Sequence, residues 1–502
     1  MDKDAAELLA TKRVWRLHQV RSVLPAVSLP GVVGSGSPSH WGRWYTEQGI
    51  PVGTPYFIAP TFEYDVQLNE FFYSVDMLGA RLLTRIGYAR DLKGFLNFLH
   101  FGRDGKSWRD ASEEDHRAYL IWRREDPLGP RVSPSTWDRE VAAVSRFYRW
   151  QVASGNIRVS PIPQRLRRSG HGFSQHGQPR ETAASYSHGA RREEIRWLPA
   201  RSYRQWRDVG LRGYDSDGLP DRLFRGRWAD RNATFTDLMV RTGMRLTEQA
   251  SLSVFEIPTI REQSGYHRFW LPEAIAKSGS DRWVYIPSAI LRDLHAYMDL
   301  DRRTVIARAQ AQGRYKRAGQ DYLVLDDRRM TTSNLAEESA RLSQLTPMER
   351  QRLLVAGPNG LEPASLWLTE DGAPMSVSSW KDIFRQANLR CEKHGVSLHA
   401  HAHMLRHSFA VLTLEQLQRG HITSLAQLNP AQRGQYTRVF GDPLDWVRRR
   451  LGHKSVTTTQ IYLHALEELE METRMALTSD AWEDPRDPQL IANLKPSTVI
   501  EK

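Results

Sequence analysis

Leu451-Gly-His-Lys-Ser-Val-Thr-Thr-Thr-Gln-Ile-Tyr462 places a tyrosine nine residues beyond a histidine (462 − 453). Alone, a tyrosine in that setting is most often half-buried packing. Its weight grows with three segments that precede it. His403-Met-Leu-Arg406-His407 puts a histidine and an arginine three apart, on one helix face, where both can reach one phosphate. Thr242-Gly-Met-Arg-Leu-Thr-Glu248 puts Arg245 at a helix start behind a glycine. Lys277 lies in the turn-rich Ala276–Asp281, between His267-Arg-Phe-Trp-Leu271 and Arg282-Trp-Val-Tyr-Ile286, which read as the strands of a hairpin. A lysine there is either solvated or set to enter a nucleic-acid groove.

His399, His401 and His403 alternate as metal ligands on a strand would. No carboxylate ligand accompanies them, and the neighbouring arginine opposes a dication, so no metal and no other cofactor is expected. The single cysteine, Cys391, excludes an intramolecular disulfide and cysteine-rich zinc sites. With 70 Lys and Arg against 58 Asp and Glu, the chain carries a formal charge of +12, which favours a polyanionic partner. Most of its basic residues are arginines, whose planar fork suits phosphate. The first residues lack a signal-peptide core and no stretch approaches a membrane span, so a soluble, reducing, cytoplasmic setting is expected.

At 502 residues the chain can hold two or three domains. Residues 1–60 are mixed in polarity and read as an extension. From 61 to 160 the pattern is helical: Leu92, Phe95, Leu96 and Leu99 form one apolar stripe, and Val141, Val144, Phe147 and Tyr148 another. Ser112 suits the N-cap of one helix, and Ser135 or Thr136 that of the next. Arg139, Arg146 and Arg149 fall off the apolar face, as a solvated surface or a DNA-facing one. Residues 161–196 are rich in Gly, Ser, Pro, Arg and His and read as a basic linker, either a tether or a strap along phosphates. A second unit spans 197–482, with helices around 200–209, 232–242, 288–307 and 379–394. The stretch 308–362 reads as a polar, irregular insertion, and 483–502 as a tail.

Together these boxes resemble the tyrosine recombinase (phage integrase) family, whose chemistry is shared with type IB topoisomerases. Thr242, Gly243, Met244, Arg245 and Glu248 match its T-G-[LM]-R-x-x-E box; His403, Leu405, Arg406 and His407 match H-x-L-R-H. Leu451, Gly452, His453 and Tyr462 match L-G-H with the nucleophile nine residues on, and Lys277 corresponds to the hairpin lysine. Leu366-Trp-Leu-Thr and Gly372-Ala-Pro-Met-Ser resemble the segment ahead of the second box. The resemblance is loose over 66–160 and specific over 197–470. Departures lie before residue 60, in 308–362 and in Gly420–Gly441, and bear on partners and assembly more than on the site.

The resemblance implies a mainly α fold with a small β-hairpin or sheet, in a two-domain clamp. An N-terminal helical core-binding (SAM-like) domain would precede a C-terminal catalytic domain. It further implies a site-specific recombinase that breaks and rejoins double-stranded DNA through a 3′-phosphotyrosine on Tyr462, for integration or excision of a mobile element. Arg245 and Arg406 would grip the phosphate, His403 and His453 would bond it, His403 would also help deprotonate Tyr462, and Lys277 would protonate the leaving oxygen. The expected assembly is a homotetrameric synapse on two sites, with accessory recombinases or DNA-bending proteins, at the nucleoid. The segment Glu467–Lys502 would reach a neighbouring protomer. A topoisomerase, a non-catalytic DNA-binding regulator and a histidine-metal hydrolase are the alternatives. The separate N-terminal helical domain speaks against the first, and the retention of every box against the second.

Overall fold

The computed structural model describes residues 14–20, 49–167, 180–187, 195–261, 265–277, 279–317, 322–325, 329–332, 335–426, 442–455, 458–463 and 465. The chain divides into two compact units between Glu193 and Glu194.

The first unit is a helical bundle built on α1 (Leu82–Gly102), α2 (Glu113–Arg124) and α3 (Pro134–Ala153). The stripe of Leu92, Phe95, Leu96 and Leu99 on α1 is buried against Val141, Val144, Phe147 and Tyr148 of α3, as the spacing predicts. Ser112 caps α2 in a reciprocal box with Asp115, whose carboxylate accepts the Ser112 backbone N–H at 2.8 Å. The cap of α3 is Ser133 rather than Ser135 or Thr136, because Pro134 fills the first helical position, where a missing N–H costs nothing. Two of the arginines bind inside their own unit: Arg139 donates to Asp91 at 2.5 Å, and Arg146 to the Asp76 carbonyl at 3.1 Å.

Two stretches expected to be unpatterned belong to this core. Within 1–60, β1 (Arg16–Gln19) pairs antiparallel with β2 (Pro55–Ile58). Phe57 is fully buried there, and the Asn69 amide bonds both its N–H and its carbonyl, at 2.7 and 3.0 Å. Within the expected linker, β3 (Gln164–Arg167) pairs with β4 (Arg180–Ala183). Ile162 and Ala183 are buried, and the Trp137 indole donates to the Ser185 carbonyl at 2.8 Å. Backbone pairing needs no apolar periodicity, so a few well-placed residues suffice to anchor these segments. Residues 168–179 lie outside the described residues.

The second unit contains α4 (Ala200–Arg207), α5 (Ala229–Thr242), the short α6 (Leu246–Ala250), the hairpin β5 (Tyr266–Leu271) and β6 (Arg282–Pro287), and α7 (Ser288–Tyr297). A π-helical turn at Met298–Arg302 joins α7 to α8 (Arg303–Ala311). The helices α9 (Val377–Lys393), α10 (Ala402–Ala426) and α11 (Pro443–Leu451) follow. The hairpin register runs from Tyr266 opposite Pro287 to Leu271 opposite Arg282, so its alternation buries Phe269, Leu271, Val284 and Ile286. The stretch expected to be irregular holds strands instead: β7 (Tyr322–Leu325), β8 (Arg329–Thr332), β9 (Leu335–Arg341), β10 (Leu353–Gly357) and β11 (Gly360–Pro363). They form one sheet in the order β11-β10-β7-β8-β9, in which β10 and β7 run parallel. The strands are short and hydrogen-bonded through the backbone, so hydropathy does not betray them. Residues 427–441 and 466–502, which include most of the expected second insertion and the tail, lie outside the described residues. Among the described residues no helix is long and apolar enough to cross a membrane.

An aromatic stack centres this unit. Phe235 of α5 lies flat on Trp380 of α9, with centroids 3.5 Å apart, and Trp367 meets Trp380 edge-on at 5.7 Å. All three are essentially inaccessible. Trp380→Ala is expected to cost about 3–5 kcal/mol through the cavity it leaves. Urea denaturation followed by circular dichroism would measure this, and a loss below about 1 kcal/mol would place the core elsewhere.

Candidate active site

Two helices of the second unit end at glycines in the left-handed region, Gly243 after α5 and Gly452 after α11, both at φ +65°. Each is also tightly enclosed: a Cβ on Gly243 would lie 2.3 Å from the Phe409 ring, and one on Gly452 2.9 Å from Ser280 Cβ. The two glycines of the sequence boxes are therefore required twice over, by conformation and by space. Helix C-termini leave carbonyls without intrahelical donors. Arg406, projecting from α10, supplies them: its guanidinium donates to the Gly243 carbonyl at 2.5 Å and to the Leu451 carbonyl. The side chain is only 2% exposed. Burial, with Arg245 nearby, lowers its pKa to about 9, so it stays charged at neutral pH.

Arg245 precedes α6, and its backbone N–H donates to Glu248 at 2.9 Å while its guanidinium donates to the same carboxylate at 2.6 Å. Arg282, opening β6, reaches Glu248 from the other side at 2.7 Å. Glu248 is fully buried. Burial alone would raise its pKa, but Arg282 and Arg245 override it and hold the carboxyl at about 2. One carboxylate thus aligns two arginines, and Ser280 adds an acceptor to Arg245 at 3.2 Å. Glu248 lay in a recognised box without a role; Arg282 and Ser280 carried no signal beyond their place at the hairpin's end.

Tyr462 lies in a helical turn at 458–463, 1% exposed, in an apolar cluster with Phe409, Leu414, Val447 and Leu451. Its hydroxyl is 3.0 Å from His407 Nδ1. Burial raises the phenol to about 12 against the opposing pull of Arg406 and Arg245. His403 stacks edge-on against His407 with centroids 4.3 Å apart, one helical turn earlier. The side chain touching the hydroxyl is therefore His407, where His403 had been expected; the helix brings both to one face, and only the nearer one meets the phenol. The His453 ring lies nearly parallel to that of Tyr462 at 6.3 Å, oriented by the buried Thr459, whose Oγ1 is 3.0 Å from Nδ1. Burial and then neighbouring positive charge hold His407 and His453 at about 3, so both are neutral near pH 7. His403 is lowered too, by burial and by Arg406.

Lys277 is exposed in the β5–β6 connection, yet its charge is felt at His403. Its carbonyl accepts from Ser280 Oγ at 2.5 Å, which shapes the turn. A second lysine that the sequence reading passed over, Lys454, lies against the same turn, with its Nζ 3.2 Å from where a Cβ on Gly279 would stand. The strand-like alternation of His399, His401 and His403 is not realised. His401 Nδ1 accepts the Met404 N–H at 3.2 Å at the start of α10, and His403 is already helical. Among the described residues no group of three or more His, Cys, Asp or Glu could hold a metal ion.

A family model for the phage integrase N-terminal SAM-like domain matches residues 78–155, and one for the phage integrase family matches 226–416. The second match takes in Arg245, Lys277, His403 and Arg406 and stops before His453 and Tyr462. The tyrosine recombinase XerC of Roseiflexus castenholzii is 24% identical over 381 residues, 76% of this chain and 82% of its own. The XerC of Lactobacillus delbrueckii subsp. bulgaricus is 21% identical, covering 78% and 91%. Among solved structures, the XerH site-specific recombinase bound to a palindromic difH substrate is 15% identical, with a TM-score of 0.43 over 80% of this chain and 82% of that one. A lambda integrase dimer bound to a COC′ core site is 13% identical, with a TM-score of 0.42 over 79% and 93%.

Glu248→Gln removes the counterion of a buried arginine, and a loss of about 3–5 kcal/mol in chemical denaturation is expected; a neutral result would mean that the two arginines are held by other groups. The histidines set a pH dependence. Unfolded histidine protonates near 6.5, whereas folded His407 and His453 stay neutral down to about 3. Between those values the unfolded chain binds more protons, so stability falls as pH drops from 7 to 5. The doubly substituted His407→Gln/His453→Gln chain should lose less Tm over that interval than the parent, and parallel Tm curves would contradict this assignment.

Proposed function

Because the chain belongs to the phage integrase family, the tyrosine recombinases of site-specific DNA recombination, we propose that it cuts and rejoins duplex DNA through a 3′-phosphotyrosyl link on Tyr462. The observation that carries this reading is the Tyr462 hydroxyl bonded to a neutral histidine inside a cluster of arginines. A phenol held at about 12 is a poor nucleophile at neutral pH. It needs a base within reach and positive charge where negative charge will grow.

In the proposed step the Tyr462 oxygen attacks phosphorus and the bond from phosphorus to the 5′ oxygen breaks. The phenol proton passes to His407 Nδ1, in the tautomer that carries its own proton on Nε2. The leaving 5′ oxygen takes a proton from Lys277. Arg245 and Arg406 meet the non-bridging oxygens; the carbonyl bonds of Arg406 use two of its five N–H groups, leaving three for a phosphate. His403 and His453 donate to the same phosphate. Attack by the 5′ hydroxyl of a partner strand reverses the step and joins new ends. The phosphotyrosine conserves the bond energy, so no nucleotide cofactor enters. Tyr462 is 1% exposed, so the proposed attack requires its side chain to reach the strand. Productive binding turns the helical turn at 458–463 toward the strand.

The positive balance of the chain suits the phosphate backbone of double-stranded DNA, with affinity falling as salt rises. Exchange of two duplexes cuts four strands, so four protomers act in a homotetrameric synapse, one dimer per site. Accessory recombinases or DNA-bending proteins assist in a cytoplasmic, nucleoid-associated setting. Integration or excision of a mobile element is the biological outcome proposed.

The test uses DNA enriched by the protein from a randomised pool, nicked to make cleavage irreversible, in the presence of chelator. Wild type should form a covalent protein–DNA adduct and Tyr462→Phe none. His407→Ala should slow adduct formation at least about a hundredfold, the range for loss of a general base. An adduct formed by Tyr462→Phe, or none by wild type, would overturn the reading.

A further inference from the structure

The solvent-facing side of the β5–β6 hairpin is not an ordinary polar surface. Trp270 stands directly opposite Trp283, and Arg268 opposite Tyr285. The two indoles meet edge to face, 5.3 Å between centroids, and remain 43% and 41% exposed. Arg268 covers the Trp283 ring at 4.5 Å. Across from them, Arg450 of α11 lies over Tyr285 at 3.9 Å and over Trp446 at 4.7 Å. Between hairpin and helix is a cleft of about 510 Å³, walled on one side by the paired tryptophans and on the other by Arg449, Arg450, His453 and Lys454. Asp281 is the one carboxylate among its lining residues.

Exposed tryptophans arrayed with arginines are what a nucleic-acid strand uses: rings stack on bases, and guanidinium and ammonium groups track phosphates. Among the described residues no guanidinium lies over Trp270, so its ring is the platform left for a ligand. We infer that this cleft receives an unpaired DNA base, stacked on Trp270, with the flanking phosphates on Arg449 and Lys454. The charge of the walls excludes a cationic or neutral apolar occupant as the better fit. The His453 wall makes the cleft continuous with the phosphate site, and in that respect the inference rests on the function proposed above.

The occupant is unpaired because of magnitudes. Stacking on one aromatic side chain is worth about as much as extracting a base from a duplex costs, so a paired base gains nothing net. A base already free gains the whole of it. Strand exchange creates such bases beside the cut, and the cleft would hold the released end until it finds its new partner.

The test needs binding, not cleavage. Full-length protein is titrated against a short mixed-sequence duplex carrying one extrahelical 2-aminopurine, and against the same duplex fully paired. The bulged duplex should bind about five- to a hundredfold more tightly, with a change in 2-aminopurine fluorescence on binding. Trp270→Ala should bring the ratio of the two affinities close to one, and Trp270→Phe, which keeps a stacking face, should retain most of it. Equal affinities in wild type, an unchanged ratio in Trp270→Ala, or no fluorescence change would overturn the inference. Because no covalent step is read, its failure would leave the nucleophile assignment standing, and absence of a covalent adduct would leave the base site standing.

Discussion

A buried guanidinium occupies the point where two helices stop. Arg406 bonds the carbonyls at the ends of α5 and α11, the segments that launch Arg245 and His453. The last carbonyls of a helix carry partial negative charge and lack intrahelical donors, so a cation there satisfies them and offsets part of its own desolvation. The same arrangement ties the ends of the two helices that precede Arg245 and His453 to one side chain of α10. With Arg406 gone, two helix ends would lose their donor together.

Around that centre the charges are arranged to be incomplete. Glu248 is shared by Arg245 and Arg282 and is already saturated. Three positive groups, Arg245, Arg282 and Arg406, therefore stand near one buried carboxylate, and burial first, with neighbouring groups adding to it, keeps His407 and His453 neutral. Neutral histidines can both donate and accept, which protonated ones cannot. The result is an excess of fixed positive charge beside neutral imidazoles and a phenol. The tyrosine is packed among apolar side chains with its hydroxyl 3.0 Å from His407 Nδ1, and burial raises its pKa against the opposing pull of Arg406 and Arg245.

Much of this was legible from residue spacing, and the remainder failed for identifiable reasons. The α1 and α3 stripes, the Ser112 cap and the β5–β6 hairpin follow from local periodicity and turn chemistry. The strand pairs β1–β2 and β3–β4 and the five-stranded sheet did not show, because short strands paired through backbone bonds leave no hydropathic trace. Arg139 and Arg146 looked like a free basic face, yet Asp91 and the Asp76 carbonyl hold them within their own unit. His401 was one of three alternating histidines in sequence and became a helix cap, since a helix start takes a nearby acceptor wherever one is offered.

By itself, then, the sequence carried the boxes on which Tyr462 and its companions are proposed, because residues three and four apart share a helix face and the box glycines tolerate the left-handed backbone their positions require. Tertiary structure alone decided which histidine touches the phenol, that Glu248 couples Arg245 to Arg282, and that Trp270 and Trp283 share an open face. Those outcomes depend on contacts between separate segments, 34 residues apart for Glu248 and Arg282 and 55 for His407 and Tyr462. Packing of the whole unit selects them, and no local pattern can encode a distance that only the folded chain defines.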